Sequence, residues 1–299
     1  MPKRNWLGFA VFTVIGSILF ISWLMNPMEV PKRNLSGLTG DVDRGAYVAR
    51  LTGCIACHTD FKKGGAVLAG GGKITTAFGS FYAPNITQHH EDGIGEWTLE
   101  EFSEALTAGV RPDRSHYFPV FPYAFYTRLT DQDIVDLWAA IRSVPVVAGK
   151  SSRHDLNFPF GIRPGVQAWK RLYFDPAPLR PVDGRSDLWH RGRYLAEAAS
   201  HCGACHTPRS LLGGRNIALK FQGGVGPGAE KVPAVTLDAL TSDGWTEDDL
   251  KFAFRTGLTP KGDSLGGSMA KVIREGTRFW SDDDIDALTT YLLNLEKSK

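Results

Sequence analysis

Two short motifs hold all four cysteines of this chain. Each has two cysteines three positions apart and a histidine directly after them, and they read CIACH at residues 54–58 and CGACH at residues 202–206. This spacing is typical of c-type haem attachment, in which both thiols form thioethers with the porphyrin and the histidine ligates the iron. We therefore predict two covalently attached haem c groups, one on Cys54, Cys57 and His58 and the other on Cys202, Cys205 and His206.

Three other roles for the cysteines were considered. A disulfide within each pair would leave the following histidine unexplained in both motifs. A zinc site built from four cysteines would have to join two segments that are far apart in the chain. Free structural cysteines would not cluster in this way. The repeated five-residue signature favours haem.

The motifs belong to an internal repeat with an offset of 148 residues, since Trp97 and Gly109 match Trp245 and Gly257. In both copies a Thr-capped amphipathic helix with acids in its first turn ends at the glycine, and a last helix opens on TDQD or SDDD. Two mainly helical modules are predicted, at residues 43–148 and 185–299. Residues 149–184 form a Pro-rich connector whose many large apolar side chains predict packing on both modules.

The sixth ligand of the second iron is predicted from the same offset. Met269 lies in the loop GGSMAK, and the offset of 148 residues aligns it with Phe121 of the first module. A thioether at this position would complete His/Met ligation with His206, which raises the reduction potential.

The first module contains no methionine, so its haem needs a different sixth ligand or has none. His116 is the nearest nitrogen donor to Phe121, and we predict that it ligates this iron opposite His58. The pair His89 and His90 is the other source of a ligand, and an open or water-bound iron is the remaining alternative.

The two proximal histidines need a partner for their second ring nitrogen, commonly a backbone carbonyl. Pro84 in APNIT and Pro233 in VPAVT occupy similar places in the two modules. We predict that their carbonyls accept from His58 and His206. His154, His190 and His201 are expected to be solvated or to act only around the ligands.

The N-terminal segment predicts a membrane anchor at residues 1–27, followed by a linker at 28–42. Residues 6–25 carry no charged side chain and would span about 30 Å as a helix, the thickness of a bilayer's hydrocarbon core. The segment is too long for a signal peptide and lacks a small-x-small cleavage site. With Lys3 and Arg4 inside, we expect a single-pass protein of the bacterial inner membrane with its haem domains in the periplasm, the side on which haem is attached.

Composition excludes one class of partner. The chain has 299 residues and a formal net charge of +2 without a basic stripe, so we expect no nucleic-acid binding.

The motifs together, with PNIT, GIGEW, FPY, RLTDQDI and HCGACHTPR in this order, resemble the cytochrome c subunits of membrane-bound alcohol, gluconate and aldehyde dehydrogenases. The resemblance covers residues 43–299 and implies two class I-type cytochrome c domains. It also implies electron transfer from a periplasmic dehydrogenase to quinone or a terminal oxidase, with Met269 as a distal ligand. The chain departs from the family in having two haem sites where many relatives have three, an N-terminal anchor, and Phe121 in place of a distal methionine.

The leading hypothesis is therefore an electron relay without independent catalytic activity. A dihaem peroxidase-like or small-molecule oxidoreductase is the alternative, favoured by the missing methionine in the first module. A third possibility is permanent docking into a respiratory complex as one of its subunits.

Overall fold

A computed structural model describes residues 4–26 and 28–295, with side chains from residue 9 onward. The chain begins with helix α1 (Arg4–Met25). Within the described residues, no helix has the length and apolar character needed to cross a membrane. The predicted transmembrane helix is therefore wrong, since a crossing takes a helix of about 20 consecutive apolar residues. Lys3, used to orient it, lies outside the described residues.

The rest of the fold is mainly helical, as predicted. The first module contains helices α2 (Val42–Leu51), α3 (Cys54–His58), α4 (Leu99–Ala108), α5 (Tyr123–Tyr126) and α6 (Asp131–Ser143), and strands β1 (Lys73–Thr76) and β2 (Gly79–Tyr82). The connector contains β3 (Asp155–Leu156) and α7 (Pro164–Tyr173). The second module contains α8 (Asp187–Tyr194), β4 (Gly224–Val225), β5 (Lys231–Val232), α9 (Leu237–Ser242), α10 (Glu247–Thr256), α11 (Gly267–Glu275) and α12 (Asp282–Leu293).

The predicted helix boundaries of the repeat are confirmed. Thr98 and Thr246 each form a capping box with the acid three residues later, at the starts of α4 and α10. Gly109 and Gly257 end these helices with φ values of 62° and 81°, a left-handed conformation that glycine adopts without a Cβ penalty. The two modules thus share their local start and stop signals.

Each module is closed by a crossing of its first and last helices at a glycine. A Cβ added to Gly45 of α2 would lie 1.9 Å from the Asp136 carbonyl oxygen in α6, and one added to Gly192 of α8 would lie 1.9 Å from that of Ala287 in α12. Only glycine permits backbones to approach this closely. The crossing fixes the position of the segment that leads into each C-x-x-C-H motif.

The connector packs on both modules, as predicted. Strand β3 extends the antiparallel sheet β1–β2–β3 of the first module. On the other side, the Trp169 indole N–H donates to the Leu212 carbonyl oxygen at 3.0 Å. The connector therefore contributes to the relative placement of the modules.

The modules also contact each other through two matching polar clusters. Asp284 in α12 is held by Arg191 of its own module, at 2.7 Å and 2.8 Å, and accepts from the hydroxyl of Tyr47 in the other module at 2.7 Å. We call this group the Asp284 cluster.

The second group repeats the first with the modules exchanged. Asp133 in α6 is held by Arg44 of its own module at 2.9 Å and accepts from the hydroxyl of Tyr194 in the other module. We call this the Asp133 cluster. Such reciprocity is the pattern of an isologous dimer interface, here formed between two halves of one chain.

Candidate haem-attachment sites

Both C-x-x-C-H motifs follow a residue in the left-handed conformation. In the first module Gly53, with φ 72°, precedes the single turn of α3. In the second module His201, with φ 49°, precedes a 3₁₀ turn at Cys202–Ala204. The chain reverses sharply at both points, so the thiols and the histidine of each motif project from one compact turn.

The four cysteines are free thiols. Within the described part of the chain, no group of three or more His, Cys, Asp or Glu residues could hold a metal ion, so the zinc alternative has no ligand set there. Burial raises the pKa of all four thiols, to about 11 for Cys54. These thiols are therefore neutral near pH 7, in keeping with an apolar surround.

The histidine of each motif is oriented by a proline carbonyl. His58 Nδ1 lies 2.7 Å from the Pro84 carbonyl oxygen, and His206 Nδ1 lies 2.8 Å from that of Pro233. This confirms the predicted partners. A carbonyl can only accept, so Nδ1 carries the proton and Nε2 keeps its lone pair. Burial also lowers the pKa of both histidines, which favours the neutral ring that ligates a metal.

A backbone segment crosses the second cysteine of each motif at a glycine. A Cβ on Gly71 would lie 1.8 Å from the Cys57 carbonyl oxygen, and one on Gly224 would lie 2.5 Å from that of Cys205. The same backbone crossing therefore occurs at both motifs. In each motif, Nε2 of the histidine and the two thiols are the groups that would bind one planar cofactor. The residues fit haem c, with the thiols forming thioethers and Nε2 ligating the iron.

The region of Phe121 is an aromatic cluster beside the first motif. The Phe121 ring centroid lies 5.1 Å from that of Tyr117, 5.9 Å from Tyr126 and 6.4 Å from Tyr123. The Tyr126 hydroxyl donates to the carbonyl oxygen of Thr52, two residues before Cys54. Aromatic rings therefore fill the place where the second module carries Met269.

The side chain of His116 packs against the connector helix α7. Lys170 Nζ lies 2.9 Å from His116 Nδ1, and His116 Nε2 lies 3.1 Å from the Gln167 side-chain oxygen. The protonated form of lysine can only donate, and an amide oxygen can only accept. Beside protonated Lys170, Nδ1 of His116 therefore accepts with its lone pair, while Nε2 carries the proton. Neither ring nitrogen is left with a lone pair for an iron in this arrangement, and ligation by His116 stays a prediction.

The alternative pair lies in a surface loop. The Asp92 backbone N–H donates to His89 Nδ1 at 3.1 Å, and the exposed His90 pairs with the Glu96 carboxylate. These contacts hold both rings within their own loop.

Met269 lies in the first turn of α11. The backbone N–H of the preceding residue, Ser268, donates to a Glu230 carboxylate oxygen at 2.9 Å. After burial, the negative charge of Glu230 is a further cause of the raised pKa of Cys205. This places the start of α11 near the second motif. Ligation by Met269 stays a prediction.

Two buried contacts were not predicted from the sequence. Of the two roles expected for His201, solvated or acting around the ligands, the structure does not show the solvated one, because its ring contacts Phe125 and Tyr126 with centroids 6.0 Å and 5.9 Å apart. Burial lowers its pKa to about 4. The repeat offset, which aligns His201 with Gly53, was the available signal. Lys170 carried no such signal, because the connector has no counterpart in the repeat.

Comparison with known proteins agrees with this geometry. A family model described as cytochrome c matches residues 42–145. Over 296 residues the chain is 38% identical to a protein named diheme cytochrome c-type from Cereibacter sphaeroides, with 98% of each chain covered. The chain therefore belongs to the dihaem c-type cytochromes, and it carries two covalently bound haem c groups and transfers electrons.

The chain is also similar to cytochrome subunits of dehydrogenases. It is 38% identical over 254 residues to the fructose dehydrogenase cytochrome subunit of Gluconobacter japonicus, covering 84% of this chain and 52% of that protein. It is 33% identical over 264 residues to the gluconate 2-dehydrogenase cytochrome c subunit of Pantoea cypripedii, covering 85% and 59%. The chain thus spans between half and three fifths of these two subunits.

The buried Lys170 predicts a pH dependence of stability. Burial lowers its pKa to about 7 from an ordinary value of 10.5. Between these pH values the unfolded chain keeps a proton that the native chain has released, so the free energy of unfolding should rise with pH, by at most about 1.4 kcal/mol per unit. Below pH 7 both states are protonated and this contribution becomes constant.

Lys170→Met should remove this rise, measured by urea unfolding at pH 6, 8 and 9.5. The exposed Lys150→Met is the matched control and should keep the slope of the parent. An unchanged slope in Lys170→Met would contradict the assignment.

Proposed function

We propose that this cytochrome accepts electrons from a periplasmic dehydrogenase and passes them to a quinone or a terminal oxidase, with both haem modules in the periplasm. The observation that carries the proposal is the matched geometry of the two motifs, each with free thiols and a histidine oriented by a proline carbonyl. The similarity to the cytochrome subunits of a fructose dehydrogenase and a gluconate dehydrogenase supports the class of donor. Periplasmic location is supported by the side of the membrane on which haem c is attached.

The haem would supply one-electron redox chemistry at each site. The chain's own residues would attach it through Cys54, Cys57, Cys202 and Cys205. The carbonyls of Pro84 and Pro233 would keep the two proximal rings neutral and fixed, so that neither needs to reorient when the charge of the iron changes. Two one-electron sites together match the two electrons of an alcohol or sugar oxidation.

The relay is tested by mixing the oxidised full chain with the catalytic part of a fructose, gluconate or alcohol dehydrogenase, freed of its own cytochrome subunit. With substrate present, we expect at least one of them to reduce both haems, seen as growth of the ferrous α band. The cytochrome with substrate alone is the control and should stay oxidised. Reduction by none of the three beyond the control rate would contradict a dehydrogenase donor.

A second candidate function is oxidation or reduction of a small molecule at an open first iron. It is favoured by the contacts of His116, whose two ring nitrogens are occupied by Lys170 and Gln167. Phe121 offers no donor atom in their place. An iron without a sixth protein ligand would be able to bind a small neutral or anionic ligand.

Electron paramagnetic resonance of the oxidised protein separates the two candidates. From the contacts of His116 we expect one high-spin haem in the parent, unchanged in His116→Ala and in the control His154→Ala. Two low-spin haems in the parent, with one becoming high-spin only in His116→Ala, would show instead that His116 ligates the iron. That result would leave the relay as the sole candidate.

A further inference from the structure

The two haem-attachment segments touch each other. A Cβ on Gly53 would lie 3.8 Å from His201 Nε2. Thr52 and Gly53 directly precede Cys54, and His201 directly precedes Cys202. The contact therefore joins the residues that open the two motifs.

Further contacts around this point have the same reciprocal form. Helix α11, which carries Met269, packs on α3 with the first motif. Helix α5, which follows Phe121, packs on the π-helical turn Leu195–Ala199 that leads to the second motif. Thus α11 of the second module packs on the first motif, and α5 of the first module packs on the turn that precedes the second motif.

The aromatic surround also connects the two segments. The Tyr126 hydroxyl donates to the Thr52 carbonyl oxygen, and the His201 ring contacts the rings of Phe125 and Tyr126. The Asp284 and Asp133 clusters hold the modules together on either side.

We propose that the contact of His201 with Gly53 is the path by which the two haems exchange electrons within one molecule, with His201 as the positioning residue. The haems would supply the one-electron chemistry, one losing the electron that the other gains, with no proton or co-reactant needed, and His201 would hold the two attachment segments in contact. The inference rests on the two bound haems and deepens the relay proposed above. It also implies that external partners contact the modules away from these mutually covered motifs.

Flash photoreduction of the oxidised full chain by a flavin semiquinone tests this path. After the first bimolecular reduction we expect a redistribution of absorbance between the haems whose rate does not depend on protein concentration. His201→Asn should slow this phase several-fold, because the shorter side chain loses the contact with Gly53 while asparagine tolerates the left-handed conformation. His154→Asn is the matched control and should leave the rate unchanged.

Two results would overturn the proposal. A redistribution that always scales with protein concentration would show that electrons pass between molecules. A concentration-independent phase with the same rate in His201→Asn would show an internal path that does not use His201. If His201→Asn does not assemble, the parent's concentration dependence still decides whether transfer is internal. No dehydrogenase is present, so failure here is distinct from failure of the proposed donor.

Discussion

The structure depends on two buried carboxylates that each serve both modules. The side chains of Asp284 and Asp133 are only 7% and 9% exposed, so each would be costly without partners. Each obtains an arginine from its own module and a tyrosine hydroxyl from the other. Loss of one tyrosine hydroxyl would leave a buried carboxylate short of a charge-assisted hydrogen bond, at a cost of about 1.5–3 kcal/mol.

This arrangement determines what surrounds the haem-attachment motifs. Tyr47 and Tyr194 lie on the helices that lead into the first and second motif, so bonding them across the interface also draws the two motifs together. Gly45 and Gly192 set how closely those helices approach the last helix of their module. The contact of His201 with Gly53 is the consequence at the centre. The contact between the two attachment segments therefore follows from two equivalent tyrosine–aspartate pairs, Tyr47 with Asp284 and Tyr194 with Asp133.

Much of the candidate site could be predicted, because it rests on local spacing. The C-x-x-C-H motifs, the threonine caps and the proline carbonyls for His58 and His206 all recur at similar places in both modules. The cross-module pairing could not be predicted. Arg44 and Tyr47 have counterparts in Arg191 and Tyr194, so the repeat alone does not tell whether a tyrosine bonds the aspartate of its own module or of the other.

Two predictions depended on features that the repeat does not supply. His116 was chosen for its closeness to Phe121 along the chain, but Lys170 and Gln167 come from the connector and engage its ring. The transmembrane helix was inferred from the apolar run at residues 6–25. In the described structure no helix meets the length and apolarity of a bilayer crossing.

The central claim is that the two haem-attachment segments pack against each other, and pulsed electron paramagnetic resonance of the oxidised full chain tests it most directly. The account predicts a clear dipolar interaction between the two ferric irons, seen as faster spin relaxation than in either haem alone. The Tyr47→Phe, Tyr194→Phe double variant should weaken this interaction. Relaxation of two isolated haems in the parent would contradict the packing of one attachment segment against the other.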